Sequence, residues 1–147
     1  MKNDDQYLYH GSSDGSIELF EPRQAISFGK PDGIPAIHAS DQLEPAIFMA
    51  VLGSRHVGGW GLKNGTKFGF FIIDSHFDEA KQEGWSGYVY ELPKDRFSKR
   101  RDWEWAATEA IKPVKKYKVG IKDLPKDIHV MTQAEYEEYH QSQTANE

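Results

Sequence analysis

The sequence predicts an α+β fold with many short strands, one helix following the second strand and one helix near the C-terminus. Helical spacing of apolar residues is clear at only two places, and the strands do not alternate with long helices, as a doubly wound parallel fold requires. A chain of 147 residues fits one domain. We place this domain at residues 1–140 and a disordered tail at 141–147.

The first third of the chain predicts two short strands and the first helix. The long stretch between the strands is rich in glycine and proline and is expected to be a loop, with a short helix or turn near its middle. A Ser-Asp pair suits the start of the helix, and a glycine ends it. The expected elements are strand Tyr7–His10, loop Ser12–Pro35 with its turn at Ile17–Phe20, strand Ala36–Ala39 and helix Gln42–Leu52.

The rest of the chain predicts further strands and the last helix, which Thr132 and Glu135 begin with a capping box. In order, we expect a glycine-rich loop at Gly58–Gly65, strands at Lys67–Asp74 and Gly87–Leu92, a connection at Phe97–Asp102, an extended segment or turn at Trp103–Ala107, strands at Ala110–Val119 and Ile128–Met131, and helix Gln133–His140.

The composition excludes several classes of function. There is no cysteine, which removes disulfides, thiolate metal sites and a cysteine nucleophile. The apolar runs are too short to span a bilayer and the polar N-terminus lacks a signal peptide, so we expect a soluble, cytoplasmic protein. The net charge of −5 gives no overall attraction to nucleic acid, although residues 94–118 are basic. That segment is either a phosphate-binding surface or a solvated strand face.

Three short motifs follow one another along the chain. The first is His10-Gly11 at the end of the first strand, the second is Ile37-His38-Ala39-Ser40 with Ala46-Ile47-Phe48 behind it, and the third is Trp103-Glu104-Trp105 before Lys112-Pro113. In this order they resemble the ADP-ribosyltransferase superfamily, on the side of diphtheria toxin and the poly(ADP-ribose) polymerases, and especially its small bacterial and phage-type members. The resemblance covers Tyr7 to Val119.

The resemblance implies a single domain of split antiparallel sheets flanked by short helices. It implies NAD as the ADP-ribose donor, no metal, and transfer of a single ADP-ribose to a macromolecular acceptor, either protein or nucleic acid. A small member of this family acting as a toxin, with an antitoxin as its partner, fits the same pattern. No P-loop or GxGxxG motif is present to suggest another nucleotide-binding mode.

Glu104 is the candidate catalytic carboxylate. Cleavage of the nicotinamide–ribose bond passes through an oxocarbenium-like state, as glycoside hydrolysis does, and a nearby carboxylate stabilises the developing positive charge. The two flanking tryptophans would limit water around it. The alternatives are that Glu104 is a surface residue of an amphipathic strand, or that Glu109 is the catalytic carboxylate.

The remaining site residues are assigned by the resemblance. His10 would bind a ribose hydroxyl, and we assign it, with Glu104, as a catalytic residue. The Gly11 backbone would bind the nicotinamide amide. Ser12, beside it, would also belong to the NAD site. Arg23 is expected either to bind the NAD pyrophosphate or to be a surface residue. Ser40 either contacts the nicotinamide amide or caps the helix. Phe48 either stacks on nicotinamide or belongs to the core.

One position departs from the family pattern. Ile37 stands where polymerase-like members carry a tyrosine, and strand alternation places the neighbouring His38 on the opposite face, so His38 does not replace it. This departure supports an alternative function, a catalytically inactive module that binds a nucleotide or a protein. An RNA 2′-phosphotransferase is a third possibility, which the shortage of arginine in the first half disfavours. Other histidines show no metal spacing: His56, His76, His129 and His140.

Overall fold

The computed structural model of the chain describes residues 6–27, 30–55, 59–63, 67–101 and 103–145. These residues form two sheets and three helices. The strands are β1 (Tyr7–Ser12), β2 (Arg23–Ser27), β3 (Lys30–Ser40), β4 (Gly59–Lys63), β5 (Lys67–Ile73), β6 (Ser86–Pro93), β7 (Ser98–Arg101), β8 (Glu104–Ala107), β9 (Lys115–Gly120) and β10 (Ile128–Met131). The helices are α1 (Leu43–Val51), α2 (Asp74–Glu83) and α3 (Gln133–Ala145).

The larger sheet has seven antiparallel strands. Six of them run side by side in the order β7-β8-β3-β1-β6-β9, and β2 pairs with β3 as a hairpin. The smaller sheet has the order β10-β5-β4, with β10 parallel to β5 and β4 antiparallel to it. The predicted α+β class is confirmed.

A row of directly opposed residues crosses the centre of the larger sheet. Glu104 on β8 pairs with Ser40 on β3, Ser40 with Tyr9 on β1, and Tyr9 with Glu91 on β6. Opposed residues in an antiparallel sheet project from the same face, so all four side chains share one face. We call these four residues the transverse row. It carries the candidate catalytic glutamate at one end and a second glutamate at the other.

Helix α1 covers the face that carries the transverse row. Tyr9 packs there with α1 and with Val89, while Phe48 of α1 stacks on Phe70 of the smaller sheet at a ring distance of 5.0 Å. The helix is therefore held between the two sheets. The opposite face of the larger sheet has its own apolar cluster, which includes Leu8 and Tyr90.

Two glycines let α1 lie directly on the larger sheet. A Cβ at Gly11 would come within 1.9 Å of the Ala46 carbonyl oxygen, and a Cβ at Gly87 within 2.0 Å of the Ala50 carbonyl oxygen. No side chain fits either gap. The sequence suggested that a bound molecule approaches Gly11, but the close neighbour is the backbone of α1 itself.

Much of the predicted loop Ser12–Pro35 has regular structure. Its second half forms the hairpin of β2 with the start of β3, and no helix forms at Ile17–Phe20. Phe20 instead makes an isolated bridge to Ile111, with backbone N···O distances of 2.8 and 2.9 Å. The hairpin escaped prediction because no alternation of apolar and polar residues marks it in the sequence.

Five further segments differ from the prediction. The described part of the predicted glycine-rich loop is strand β4, whereas residues 58, 64 and 65 lie outside the described chain. The predicted connection at Phe97–Asp102 contains β7, and the region after β5 is helix α2. The predicted strand Ala110–Val119 forms regular structure only from Lys115, and α3 continues through Ala145 into the supposed disordered tail. Among the described residues, no helix is long and apolar enough to cross a bilayer.

Candidate functional site

The larger sheet splits between β1 and β3. These strands pair at one register position, Tyr9 with Ser40, and the ladder does not continue to the next opposed pair. Across the gap, Nδ1 of His10 lies 2.6 Å from the carbonyl oxygen of His38. The imidazole thus provides the hydrogen bond that a neighbouring strand would otherwise give to this carbonyl. His10 both bridges the split and forms part of its wall.

The protonation of His10 follows from its surroundings. A carbonyl oxygen only accepts, so Nδ1 carries the proton and donates it to His38. Burial lowers the pKa of His10, the hydrogen bond to the His38 carbonyl opposes this, and the positive charge of Arg23 acts in the same direction as burial. The ring is therefore neutral near pH 7, and its Nε2 is a hydrogen-bond acceptor.

A cavity lies at this split, between the sheet and the first two turns of α1. It is formed by three adjacent strands, β1, β3 and β8, together with the helix, and its volume is about 80 Å³. This is smaller than the roughly 300–1,000 Å³ of typical ligand clefts and suits one ring-sized group. Its walls are Tyr9, His10, Gly11, His38, Ala39, Ser40, Pro45, Ala46, Met49, Trp103 and Glu104.

Glu104 reaches the cavity from the first position of β8. Its side chain is 17% exposed, and Oε2 lies 3.4 Å from Nη1 of Arg100, whose side chain is 23% exposed. Arg100 sits where the register between β7 and β8 shifts, between the pairs Lys99–Trp105 and Arg101–Glu104. Such a bulge redirects a side chain out of the regular alternation. It directs the Arg100 guanidinium toward Glu104.

The same guanidinium contacts the second motif. Nη1 of Arg100 is 3.1 Å from Nε2 of His38. Because a guanidinium only donates hydrogen bonds, Nε2 of His38 is the acceptor and Nδ1 carries the proton. Arg100 therefore joins β7, β3 and β8 at the edge of the cavity.

The backbone around Glu104 is fixed by Asp41, just before α1. The Asp41 N–H donates to the carbonyl of Trp103 at 3.0 Å, and Nε1 of Trp105 donates to Oδ2 of Asp41 at 3.0 Å. Both neighbours of Glu104 are thus tied to the same residue. This arrangement fixes the carboxylate relative to the start of α1.

Ser40 lies in the cavity wall and also shapes the turn into α1. Its hydroxyl oxygen accepts a hydrogen bond from the Gln42 N–H at 2.9 Å, and the residue is 4% exposed. The N-cap residue of α1 is Gln42, without a side-chain cap hydrogen bond, so Ser40 forms a turn contact and does not cap the helix. Its contact with the nicotinamide amide stays a prediction.

Several expected site residues lie elsewhere. Phe48 does not line the cavity: its side chain is fully buried and stacks on Phe70, so the core interpretation is the correct one. It points away because α1 presents Pro45, Ala46 and Met49 to the cavity instead. Ile37 packs in the core on the opposite face of the sheet.

The other polar candidates do not line the cavity. The Ser12 hydroxyl accepts from the Asp14 N–H at 3.1 Å, and Arg23 is exposed on β2, close enough to influence the charge of His10. Glu109 is exposed and lies 3.9 Å from Arg96, outside the cavity lining. Among the described residues, no group of three histidines or carboxylates could hold a metal.

Sequence reasoning missed Arg100, Asp41 and Met49. Arg100 belongs to the basic run just before the Trp-Glu-Trp motif, and this run was the one sequence signal for it. The bulge that directs its side chain toward Glu104 cannot be predicted from the run.

Comparisons with family models, curated proteins and solved structures found no match for this chain.

Proposed function

We propose that the protein is a mono-ADP-ribosyltransferase that takes ADP-ribose from NAD and passes it to a protein or nucleic acid. The observation that supports this most is the convergence of His10, Ser40 and Glu104. They come from three separate motifs and line one cavity on three adjacent strands. This is the arrangement that the resemblance to ADP-ribosyltransferases implies for residues around NAD.

The chemistry needs a carboxylate beside the reacting ribose. The bond between ribose C1′ and the nicotinamide nitrogen breaks, and neutral nicotinamide leaves with the bonding electron pair. Glu104 would stabilise the positive charge that develops on the ribose. A nucleophile of the acceptor then bonds to C1′ and gives its proton to the carboxylate or to solvent.

The cavity walls suit the other parts of this substrate. His10, whose ring also meets Phe20 edge-on at 4.8 Å, would offer Nε2 to a ribose hydroxyl, since Nδ1 donates to the His38 carbonyl. Tyr9 and Trp103 are the aromatic residues of the cavity wall, and they replace Phe48 as candidates to contact the pyridinium ring. With a volume of about 80 Å³, the cavity would take the nicotinamide end, and the rest of NAD would follow the open side of the split.

The direct experiment measures nicotinamide release when the purified full chain is incubated with NAD, with cell extract added as a source of acceptor. Glu104→Gln should lower the rate by about 10²–10³-fold, the cost of losing one electrostatic stabiliser of a transition state. Glu91→Gln and Glu109→Gln are matched controls, because neither carboxylate lines the cavity. Both should keep the wild-type rate within about twofold.

Two results would contradict the proposal. One is the absence of nicotinamide release and of any ADP-ribose label in the extract. The other is an equal loss of rate in all three glutamine variants, which would make the effect general rather than specific to the cavity.

A second candidate function is a binding module without chemistry. The ion pair between Glu104 and Arg100 favours it, since a paired carboxylate stabilises a developing cation less well. Calorimetry that detects NAD binding, combined with chromatography showing that the bound NAD stays intact with every acceptor extract, would select this function.

A further inference from the structure

Arg100 forms an ion pair with the candidate catalytic carboxylate, and three elements surround it. Its Nη1 contacts His38 on β3 and Glu104 on β8. On the hairpin side it lies beside Gly33, where a Cβ would be 3.4 Å from Nη2 of Arg100. Gly33 adopts a φ of 74°, so the hairpin bends without a side chain at the point where the guanidinium passes.

The contact between Arg100 and Glu104 is long for an ion pair. At 3.4 Å it exceeds the ~2.7–2.9 Å of strong charge-assisted hydrogen bonds, and one nitrogen is shared between a carboxylate and an imidazole. These two contacts of Nη1 are therefore moderate in strength. A ligand group with two oxygens of matching geometry would compete well for the guanidinium.

The pairing also has a cost for the proposed reaction. A positive charge beside Glu104 opposes the stabilisation of a second positive charge on ribose. Reaction would be favoured if the ligand itself drew Arg100 away. A diphosphate carries the charge and the paired oxygens that a guanidinium binds best.

We propose that Arg100 binds the diphosphate of the nucleotide and, in moving from Glu104 to the phosphates, frees the carboxylate for the ribose. The identity of the nucleotide rests on the proposed function. Arg100 is a positioning residue here, because it acts on the reaction through Glu104. Neither arginine lines the cavity, but Arg100 contacts two residues that do, His38 and Glu104, whereas Arg23 is exposed on β2.

The test begins with ligand binding, which needs no catalysis. The Kd of ADP is measured by calorimetry for the wild type, Arg100→Gln, Arg100→Lys and Lys99→Gln. Lys99 is the matched control, since it is the adjacent cation but pairs with Trp105 and so projects from the other face. We expect at least a tenfold weaker Kd for Arg100→Gln, an intermediate value for Arg100→Lys and less than a twofold change for Lys99→Gln.

The second readout separates positioning from structure. Arg100→Gln should raise KM for NAD while kcat for nicotinamide release stays the same or rises, because Glu104 is no longer paired. Equal ADP binding by Arg100→Gln and the wild type would overturn the proposal, as would equal losses in Arg100→Gln and Lys99→Gln. A fall in kcat with unchanged KM would also overturn it. If no variant releases nicotinamide but ADP binding still depends on Arg100, the proposed reaction fails while the phosphate site stands.

Discussion

The two glutamates of the transverse row have the same strand setting but opposite surroundings. Glu104 and Glu91 lie on one face of the sheet, three strands apart, which is about 14 Å at normal strand spacing. Glu104 faces a cavity and an arginine. Glu91 is 8% exposed, and its Oε2 has no hydrogen-bond partner among the described residues.

The surroundings of Glu91 are closed and poor in polar partners. The buried hydroxyl of Tyr117 also lacks a hydrogen-bond partner in the described structure. Burial raises the pKa of Tyr117, and the neighbouring Tyr9 and Glu91 raise it further. We call Glu91, together with the neighbouring Tyr117 on β9, the buried end, and Ser40 with Glu104 the cavity end.

The contrast shows that the split of the sheet, rather than the position of a carboxylate in the row, creates the site. At the cavity end β1 and β3 separate, and His10 bridges the gap with its side chain. At the buried end β1, β6 and β9 stay fully paired and packed under α1. Of these two ends of the row, the cavity lies at the one where the ladder is interrupted.

The largest expected effect tests the packing of α1 on the larger sheet, where the helix covers both ends of the transverse row. Gly11→Ala should lower the free energy of unfolding by about 3 kcal/mol, the upper part of the range for overpacking, because its Cβ would lie 1.9 Å from the Ala46 carbonyl oxygen. Chemical denaturation measures this. Gly120→Ala is the control, since the nearest atom to its Cβ is 3.9 Å away. If the two variants are equally stable, α1 does not lie directly on β1.

The next effect concerns the bridging histidine and pH. The folded-state pKa of His10 is below its ordinary value of about 6.5, so the unfolded chain takes up the proton first as the pH falls. The contribution of neutral His10 to the free energy of unfolding is therefore complete above about pH 6.5. It declines as the pH falls toward the folded-state pKa. His10→Gln keeps a donor for the His38 carbonyl without titrating in this range.

Denaturation midpoints at pH 7.5, 6.5 and 5.5 check this prediction. The wild type should lose more stability than His10→Gln between pH 6.5 and 5.5, while the two should follow each other above pH 6.5. The other histidines are common to both proteins and cancel in the comparison. Parallel curves over the whole range would show that His10 is not held neutral by its burial.

The sequence motifs point to the cavity end and carry no signal for the buried end. His10, Gly11, Ser40 and Glu104 each belong to a short local motif that strand alternation and chain order make visible, and all four line the cavity. Arg100 depends on a bulge, which is a property of two paired strands and leaves no local signal.

The same distinction holds for the fold: elements set by local sequence were predicted, and features set by distant contacts were not. Helix α1 was predicted from apolar spacing and a preceding polar pair, and it begins within one residue of the expected start. The orientation of Phe48 was beyond reach, because it depends on the smaller sheet that packs on the other side of the helix. Helix α2 was missed since only Ala80 is fully buried along it, which leaves little apolar pattern.

The smallest effect tests whether the buried end is as poor in polar partners as it looks. Tyr117→Phe removes a hydroxyl that has no hydrogen-bond partner in the described structure, so the free energy of unfolding should change by less than about 0.5 kcal/mol or rise slightly. Tyr90→Phe is the matched control on the opposite face: its hydroxyl accepts from the Ile17 N–H at 3.2 Å and donates to the Asp14 carbonyl at 2.6 Å. That variant should lose about 1–3 kcal/mol, because the two backbone groups lose their partner. Urea denaturation measures the free energy of unfolding of both variants. Equal losses of stability would mean that the Tyr117 hydroxyl has a polar partner. The buried end and the cavity end would then differ less than their geometry indicates.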